Sequence, residues 1–406
     1  MTQQTLRSTL ENNQSPWWVQ WINWGGHNLE KLGIQPVQFS EAVLLATAQK
    51  HTQLSDWGDE AFREGLQTLI KALNQEANLS LIGRLLIRKQ LVRLLKNRLT
   101  IQATLKQHPD ILELSIQRPL IITGLPRTGT TFLQRLLAQD PKFRWLRFWE
   151  LIAPCPPPIQ ANVNTDPRIQ SGQRLIQQYQ TLAPAISTAH RIDAEIPEEE
   201  NHLFEHAFAS VLFELRSHIP TYDQWLQQKD MVSEYGYFRQ QLQLLSWQWS
   251  GQWLLKAPAH LGSLDALFTV FPDACVVQTH RDPCTVMPSI CSLAAIIHSV
   301  YSDRIDTAQI GQDWLKILTH HYHQGHRFRQ QHPDVRICDV DYNRLVHNPL
   351  ATVRQIYEFF GDQLSDTAAH AMEQSLTRNS KLNKASHRYS LEQFGLTAAQ
   401  VNESFS

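Results

Sequence analysis

The pattern of apolar and polar positions changes texture once along this chain, near Arg118. Before that point apolar residues recur at helical spacing. VQFSEAVLLATAQ reads as a helix with Ser40 as its N-cap. LIGRLLIRKQLVRLLKNRL repeats the spacing with basic residues interleaved, which predicts a second helix with a solvated basic face. The stretch PWWVQWINWGG places Trp17, Trp18, Trp21 and Trp24 close together, and the first expectation for them is packing against the body of the protein. Lining an apolar pocket is the second.

After Arg118 short β-branched runs alternate with helical stretches. RPLIITGLP reads as a buried strand running into a turn, and TTFLQRLLAQD as the helix after it. WLLKAP (253–258), ACVVQT (274–279) and RICDV (336–340) are three more strands, with HLGSLDALF a helix between the first two of these. Strands separated by helices imply parallel pairing with right-handed crossovers. HNPLATVRQIYEFFG is a helix with Asn348 at its cap, Pro349 in its first turn and Gly361 at its end. Between these parts, APCPPPIQANVNTDP predicts an irregular loop, while DPRIQSGQRLIQQYQTLAP and EEENHLFEHAFASVLFELRSH predict helices.

Composition narrows the function. A hydrophobic share of 42% with 18% charged residues is that of an ordinary globular protein. Lys plus Arg (37) nearly balances Asp plus Glu (38), which speaks against nucleic acid as a partner. The five cysteines are odd in number and form no CxxC pair, so neither a zinc site nor a disulfide framework follows, and a reduced, cytoplasmic protein is expected. The polar start MTQQTLRSTLENNQ is not a secretory signal, and no integral membrane segment is expected because no apolar run approaches about 20 residues.

The candidate chemistry begins at GLPRTGTT, Gly124 to Thr131. Its spacing is that of a phosphate-binding loop, GxxxxGK[ST], except that Thr130 stands where the lysine belongs. Backbone N–H groups of such a loop converge on anionic oxygens, and the following helix adds its positive N-terminal end. Without the lysine the loop suits an anion of lower charge than a nucleoside triphosphate. A phosphosulfate, held by Arg127, Thr128, Gly129, Thr130 and Thr131 without a metal, fits that description. A second element is HRDPCTVMPSICSL, where Arg281 leaves a strand end and Ser289 follows eight residues later on a helix that Asp282 and Pro283 start. A guanidinium and a hydroxyl so placed suit a second, separate phosphate.

These features predict an α/β protein of the P-loop type. Three α/β/α layers surround a central parallel sheet, with a helical N-terminal region over 1–115 and a core over 116–406 that carries a helical insertion at about 155–250.

From about Arg118 onward the chain resembles the sulfotransferase family, in particular its bacterial branch with a Pro-Arg-[Ser/Thr]-Gly-Thr-Thr loop, and is similar to tyrosylprotein sulfotransferases. The resemblance implies 3'-phosphoadenosine 5'-phosphosulfate (PAPS) as sulfuryl donor, no metal, and a small-molecule hydroxyl as acceptor. It assigns LPRTGTT to the 5'-phosphosulfate and Arg281 with Ser289 to the 3'-phosphate. One departure is that Arg127 stands where the cytosolic small-molecule enzymes carry lysine. Arg127 is then the clamp on the sulfuryl and bridging oxygens, and Lys256 resembles the family's second-strand lysine. The resemblance offers two bases: Glu150, whose alternative role is an ion pair with Arg144 or Arg147, and His260. The acidic run Glu198–Glu200 is expected mainly to complement the dipole of the helix it starts. A basic tail, Lys384 or Arg388, would close over the 3'-phosphate. The alternatives are a magnesium-dependent P-loop kinase or NTPase, and a non-enzymatic nucleotide-binding protein of the same fold.

Overall fold

The computed structural model describes residues 16–189, 192–380 and 389–406. Five strands form one sheet: β1 (Leu120–Gly124), β2 (Phe143–Arg144), β3 (Gln252–Lys256), β4 (Cys275–His280) and β5 (Ile337–Asp341). Their spatial order is β2-β3-β1-β4-β5, and every pairing is parallel. The four strands expected from sequence are all present. The fifth, β2, is two residues long and too short to leave a period. β1 is buried at every position and β3 and β4 nearly so, which is why each reads as a continuous apolar run and not as an alternation. The edge strand β5 does alternate at its end, with Asp339 and Asp341 exposed.

Helices cover both faces. Leu120 and Ile122 of β1 pack with Leu133, Leu137, Val353 and Ile356 on one side, while Ile121 meets Phe238, Leu242, Leu267 and Phe271 on the other. Each such fully buried side chain contributes about 1.5–3 kcal/mol relative to exposure. The result is the expected three-layer α/β/α arrangement. The chain moves to opposite sides of β1 when it enters β3 and β4, so a crevice opens at the carboxyl ends of these central strands, where such sheets bind ligands.

The N-terminal helices Trp17–Lys31, Glu41–Thr52, Phe62–Gln75 and Leu81–Gln107 do not form a separate core. Their apolar faces join Leu182, Phe208, Phe213, Tyr222 and Tyr301 in one cluster, which fastens the region to the insertion and to the helix Pro283–Tyr301. That helix is, among the described residues, the one long and apolar enough to span a bilayer, and 72% of its apolar window is buried inside the fold.

Three expectations need correction. The basic face of Leu81–Gln107 is only partly solvated: Arg88 and Lys89 are exposed, but Arg84 and Arg98 are 5% and 4% exposed. Arg98 donates to the carbonyls of Trp57 (3.1 Å), His206 (3.4 Å) and Asp59 and lies between the rings of Phe62 and Tyr237. The tryptophans do not form core. Trp17, Trp21 and Trp24 are 73%, 65% and 63% exposed, because their helix docks through its small and polar face. Gly26 there lies against Leu81, and Asn23 accepts from the Ile82 N–H (3.0 Å) and donates to Asp303 (2.9 Å). Finally, EEENHLFEHAFASVLFELRSH holds only the short helix Asn201–Phe204 and a 3₁₀ turn, Glu205–Ala207. Glu200, Glu205 and His206 of this segment are buried and bond to distant partners, so tertiary polar contacts override the helical spacing.

Candidate active site

The phosphate loop leaves β1 at Gly124 and enters the helix Thr130–Leu137. Three of its residues have positive φ: Arg127 at 67°, Gly129 at 91° and Gly124 where it leaves β1. A non-glycine residue held there is strained, and such strain gathers at functional sites. Gly124 (φ 130°) has a second reason to be glycine: a Cβ would sit 2.4 Å from the carbonyl oxygen of Thr279, its register partner on β4. Thr128 is fully buried, with its hydroxyl 2.6 Å from both the Leu125 carbonyl and the Thr279 hydroxyl. It braces the loop against β4 and does not line the cavity in front of it.

That cavity, of about 620 Å³, is lined by Arg127, Gly129, Thr130, Thr131 and Arg281 at its polar end. Arg281 follows β4 directly, stacks over the Tyr342 ring at 3.9 Å and donates to the Arg127 carbonyl (2.9 Å). Arg127 Nε donates to Ser289 Oγ (3.0 Å). Asp282 caps the helix that carries Ser289 by accepting from the Cys284 N–H (3.0 Å). Loop and second element thus meet in one cluster of two guanidinium groups and several hydroxyls. Burial, and then the nearby charge of Arg281, push the Arg127 pKa down. The charge of Arg281 beside Arg127 is one that an anion in the cavity would offset.

The other expected residues lie as follows. Lys256 ends β3 fully buried, and its ammonium pairs with Glu199, which lines the cavity. Glu150 lies outside the cavity lining: it is fully buried, takes both guanidinium nitrogens of Arg144 and accepts from the Arg147 N–H (2.8 Å). His260 is held between the Tyr235 hydroxyl (2.5 Å) and Glu200 (2.7 Å), is 1% exposed and does not line the main cavity. Both candidate bases therefore have structural partners at every polar atom. Lys384 and Arg388 fall outside the described residues. Replacing Glu150 by Gln leaves the buried Arg144 charge uncompensated, and the expected result is a loss of about 3–5 kcal/mol of stability in urea titrations. Activity per folded molecule should be retained; its collapse would return Glu150 to the chemistry.

One cavity residue escaped the sequence reading. His202 sits on the wall with its Nδ1 2.6 Å from Glu205 Oε2, which leaves Nε2 as the nitrogen without a hydrogen bond among the described residues. Burial by itself would raise the Glu205 pKa, but Arg216 and His202 outweigh it and bring it to about 2. Glu205 is thus ionised at neutral pH and fixes the imidazole tautomer. The signal in the sequence is the three-residue spacing of His202 and Glu205 just after the acidic run. Elsewhere, Glu214, His218 and Asp313 bring their ligand atoms within 4.8 Å of one another, outside the cavity lining.

The family model described as the sulfotransferase family matches residues 119–366, which include the loop, Lys256, Arg281 and Ser289. This chain belongs to the sulfotransferase family. Its fold is similar to sulfotransferase STF1 from Mycobacterium tuberculosis H37Rv, with a TM-score of 0.81 and 35% identity over 91% of this chain and 98% of that one. It is also similar to sulfotransferase STF9 from Mycobacterium avium, with a TM-score of 0.83 and 28% identity over 92% and 96% of the two chains. No curated protein matches the sequence. As a sulfotransferase the chain is a transferase, and the strained loop with its paired arginines lies where the α/β crevice takes its ligand.

Proposed function

We propose that this sulfotransferase moves the sulfuryl group of PAPS to a hydroxyl of a small-molecule acceptor. In the transfer the acceptor oxygen bonds to sulfur, the bond from sulfur to the 5'-phosphate oxygen breaks, and adenosine 3',5'-bisphosphate leaves. The observation that carries this reading is the convergence of Arg127, Arg281 and Ser289 on a helix N-terminus that has Thr130 in place of lysine. The residues fit the donor. Loop amides, Thr130 and Thr131 face the phosphosulfate, Arg127 clamps its bridging and sulfuryl oxygens, and Arg281 with Ser289 takes the 3'-phosphate. Lys256, buried at the neighbouring strand end, would act on the donor only through Glu199, the carboxylate it pairs with at the cavity wall. A magnesium-dependent NTPase needs a lysine after Gly129 to answer the β- and γ-phosphates, where Thr130 stands instead.

The acceptor proton goes to His202 Nε2, with Glu205 as the positioning residue. Glu150 and His260 are not carried forward, since their polar atoms are already occupied. A reduced, cytoplasmic setting agrees with five free cysteines, three of them buried. Calorimetric titration of Arg281→Ala tests the donor assignment. Adenosine 3',5'-bisphosphate should lose about 10–100-fold in affinity, the worth of one charge-assisted hydrogen-bonded pair, and 5'-AMP far less. Equal losses would remove Arg281 from the 3'-phosphate.

A further inference from the structure

Away from the phosphate loop the cavity is walled by apolar side chains, among them Phe132, Phe148, Ile176, Leu293 and Trp314. A charged side chain has no reason to be on such a wall unless something answers its charge. Arg93, on the helix Leu81–Gln107, is there. Its Nε is buried and has no hydrogen-bond partner, and among the described residues Arg93 makes no hydrogen bond, ion pair or ring contact.

The same helix shows how this fold treats an arginine that it buries for structure. Arg98 has three carbonyl acceptors and two aromatic rings. Arg84 has the Val37 carbonyl, the Glu30 carboxylate and the Phe39 ring. Arg93 has none of these, and its accessible surface opens into the cavity.

Nor does its surroundings neutralise it. The charged or titratable groups that act on it are Tyr179, Glu205, Arg216 and Tyr301. Glu205 already accepts from Arg216 (2.5 Å), Gln90 (2.6 Å) and His202 (2.6 Å). His206 nearby has its pKa brought by burial to about 4, so it is neutral at pH 7. Two arginines against one carboxylate leave this end of the cavity with one positive charge in excess. Burial pushes the Arg93 pKa down for the same reason. An unpaired charge in such a place costs several kcal/mol, which an anionic ligand would relieve. Beside it the hydroxyls of Tyr179 and Tyr301 lie 2.6 Å apart. One phenol donates to the other, and the second proton is left for a ligand oxygen.

We infer that Arg93, with the Tyr179–Tyr301 pair, is an anion subsite for the acceptor, which is therefore an amphipathic hydroxy acid. Its hydroxyl meets Arg127 and His202, its apolar body fills the middle of the cavity, and its carboxylate pairs with Arg93. The inference rests on the acceptor reading above and names the class of acceptor.

The test uses a series of hydroxyphenylalkanoic acids of increasing chain length, each with its methyl ester, against wild type and Arg93→Met. Turnover with PAPS is measured together with calorimetric binding in the presence of adenosine 3',5'-bisphosphate. For the best-fitting length, the wild type should prefer acid over ester by about tenfold or more in kcat/KM and in affinity, the worth of one charge-assisted hydrogen bond. In Arg93→Met that preference should disappear, the acid falling to the level of its ester. The inference is overturned if no acid binds better than its ester to the wild type, or if the variant keeps the preference. Binding of the acid without turnover of either compound would sink the transfer reading and leave the subsite standing.

Discussion

Arg127→Ala is expected to lower kcat by about a thousandfold, the scale on which one preorganised electrostatic contact to the transition state counts. In the loose transition state of such a transfer, charge builds on the bridging and peripheral oxygens, and little covalent work is left to the protein. In the proposed reaction Arg127 would take that task, held at the cavity wall by the loop itself. Its strained φ of 67° turns the side chain into the cavity, and Ser289 holds Nε at 3.0 Å. Alanine would sit in the same strained conformation, so the backbone is not relieved and the loss reports the guanidinium. Arg127→Lys should recover part of the rate, since a point charge replaces a planar fork. Thermal unfolding of both variants should stay within a few degrees of wild type, because the Arg127 side chain lies on the cavity wall and not in the packed interior. Turnover near that of wild type would remove the residue from the chemistry.

The second large effect concerns the proton. His202→Ala is expected to reduce kcat by about 10²–10⁴-fold, the usual contribution of a positioned general base. Glu205→Gln should act differently, since it touches no substrate: it weakens the hold on Nδ1 and lowers kcat less than loss of the imidazole itself. The Glu205 pairing carries its own pH signature in stability. Its folded pKa of about 2 lies below the ordinary value of 4.5, so its stabilisation is complete above about pH 4.5 and is lost as pH falls towards 2. Glu199 is the competing base on the same wall, but its carboxylate already pairs with Lys256. A fully active His202→Ala alongside an inactive Glu199→Gln would reverse the assignment.

The parts of the fold around the site that were read correctly from sequence share a property: each is a local backbone event with few alternatives. A β-branched run, two glycines at fixed spacing and an amphipathic helix specify β1, the loop and the helix after it within about 20 residues. Asp282 and Pro283 mark the start of the Ser289 helix in the same local way. The tryptophan-rich helix misled because hydrophobicity says which side chains prefer burial, not which face a neighbour approaches. Gly26 and Asn23 allowed the closer contact, and the rings stayed outside.

By itself, then, the sequence determined the parallel α/β architecture, the lysine-free glycine loop, and the strand-to-helix turn that carries Arg281 and Ser289. These follow from chain-local rules of sterics and hydrogen bonding. Only the tertiary structure decided which ionisable side chains are tied up and which face the cavity. Glu150 and His260 are saturated by partners six and sixty positions away, while among the described residues His202 Nε2 and Arg93 Nε have no hydrogen-bond partner, and both residues line the cavity. No local pattern separates Arg93 from Arg88 on the same helix. What separates them is the set of groups that long-range packing brings alongside, and the free energy of a charge depends on that set far more than on its neighbours in sequence.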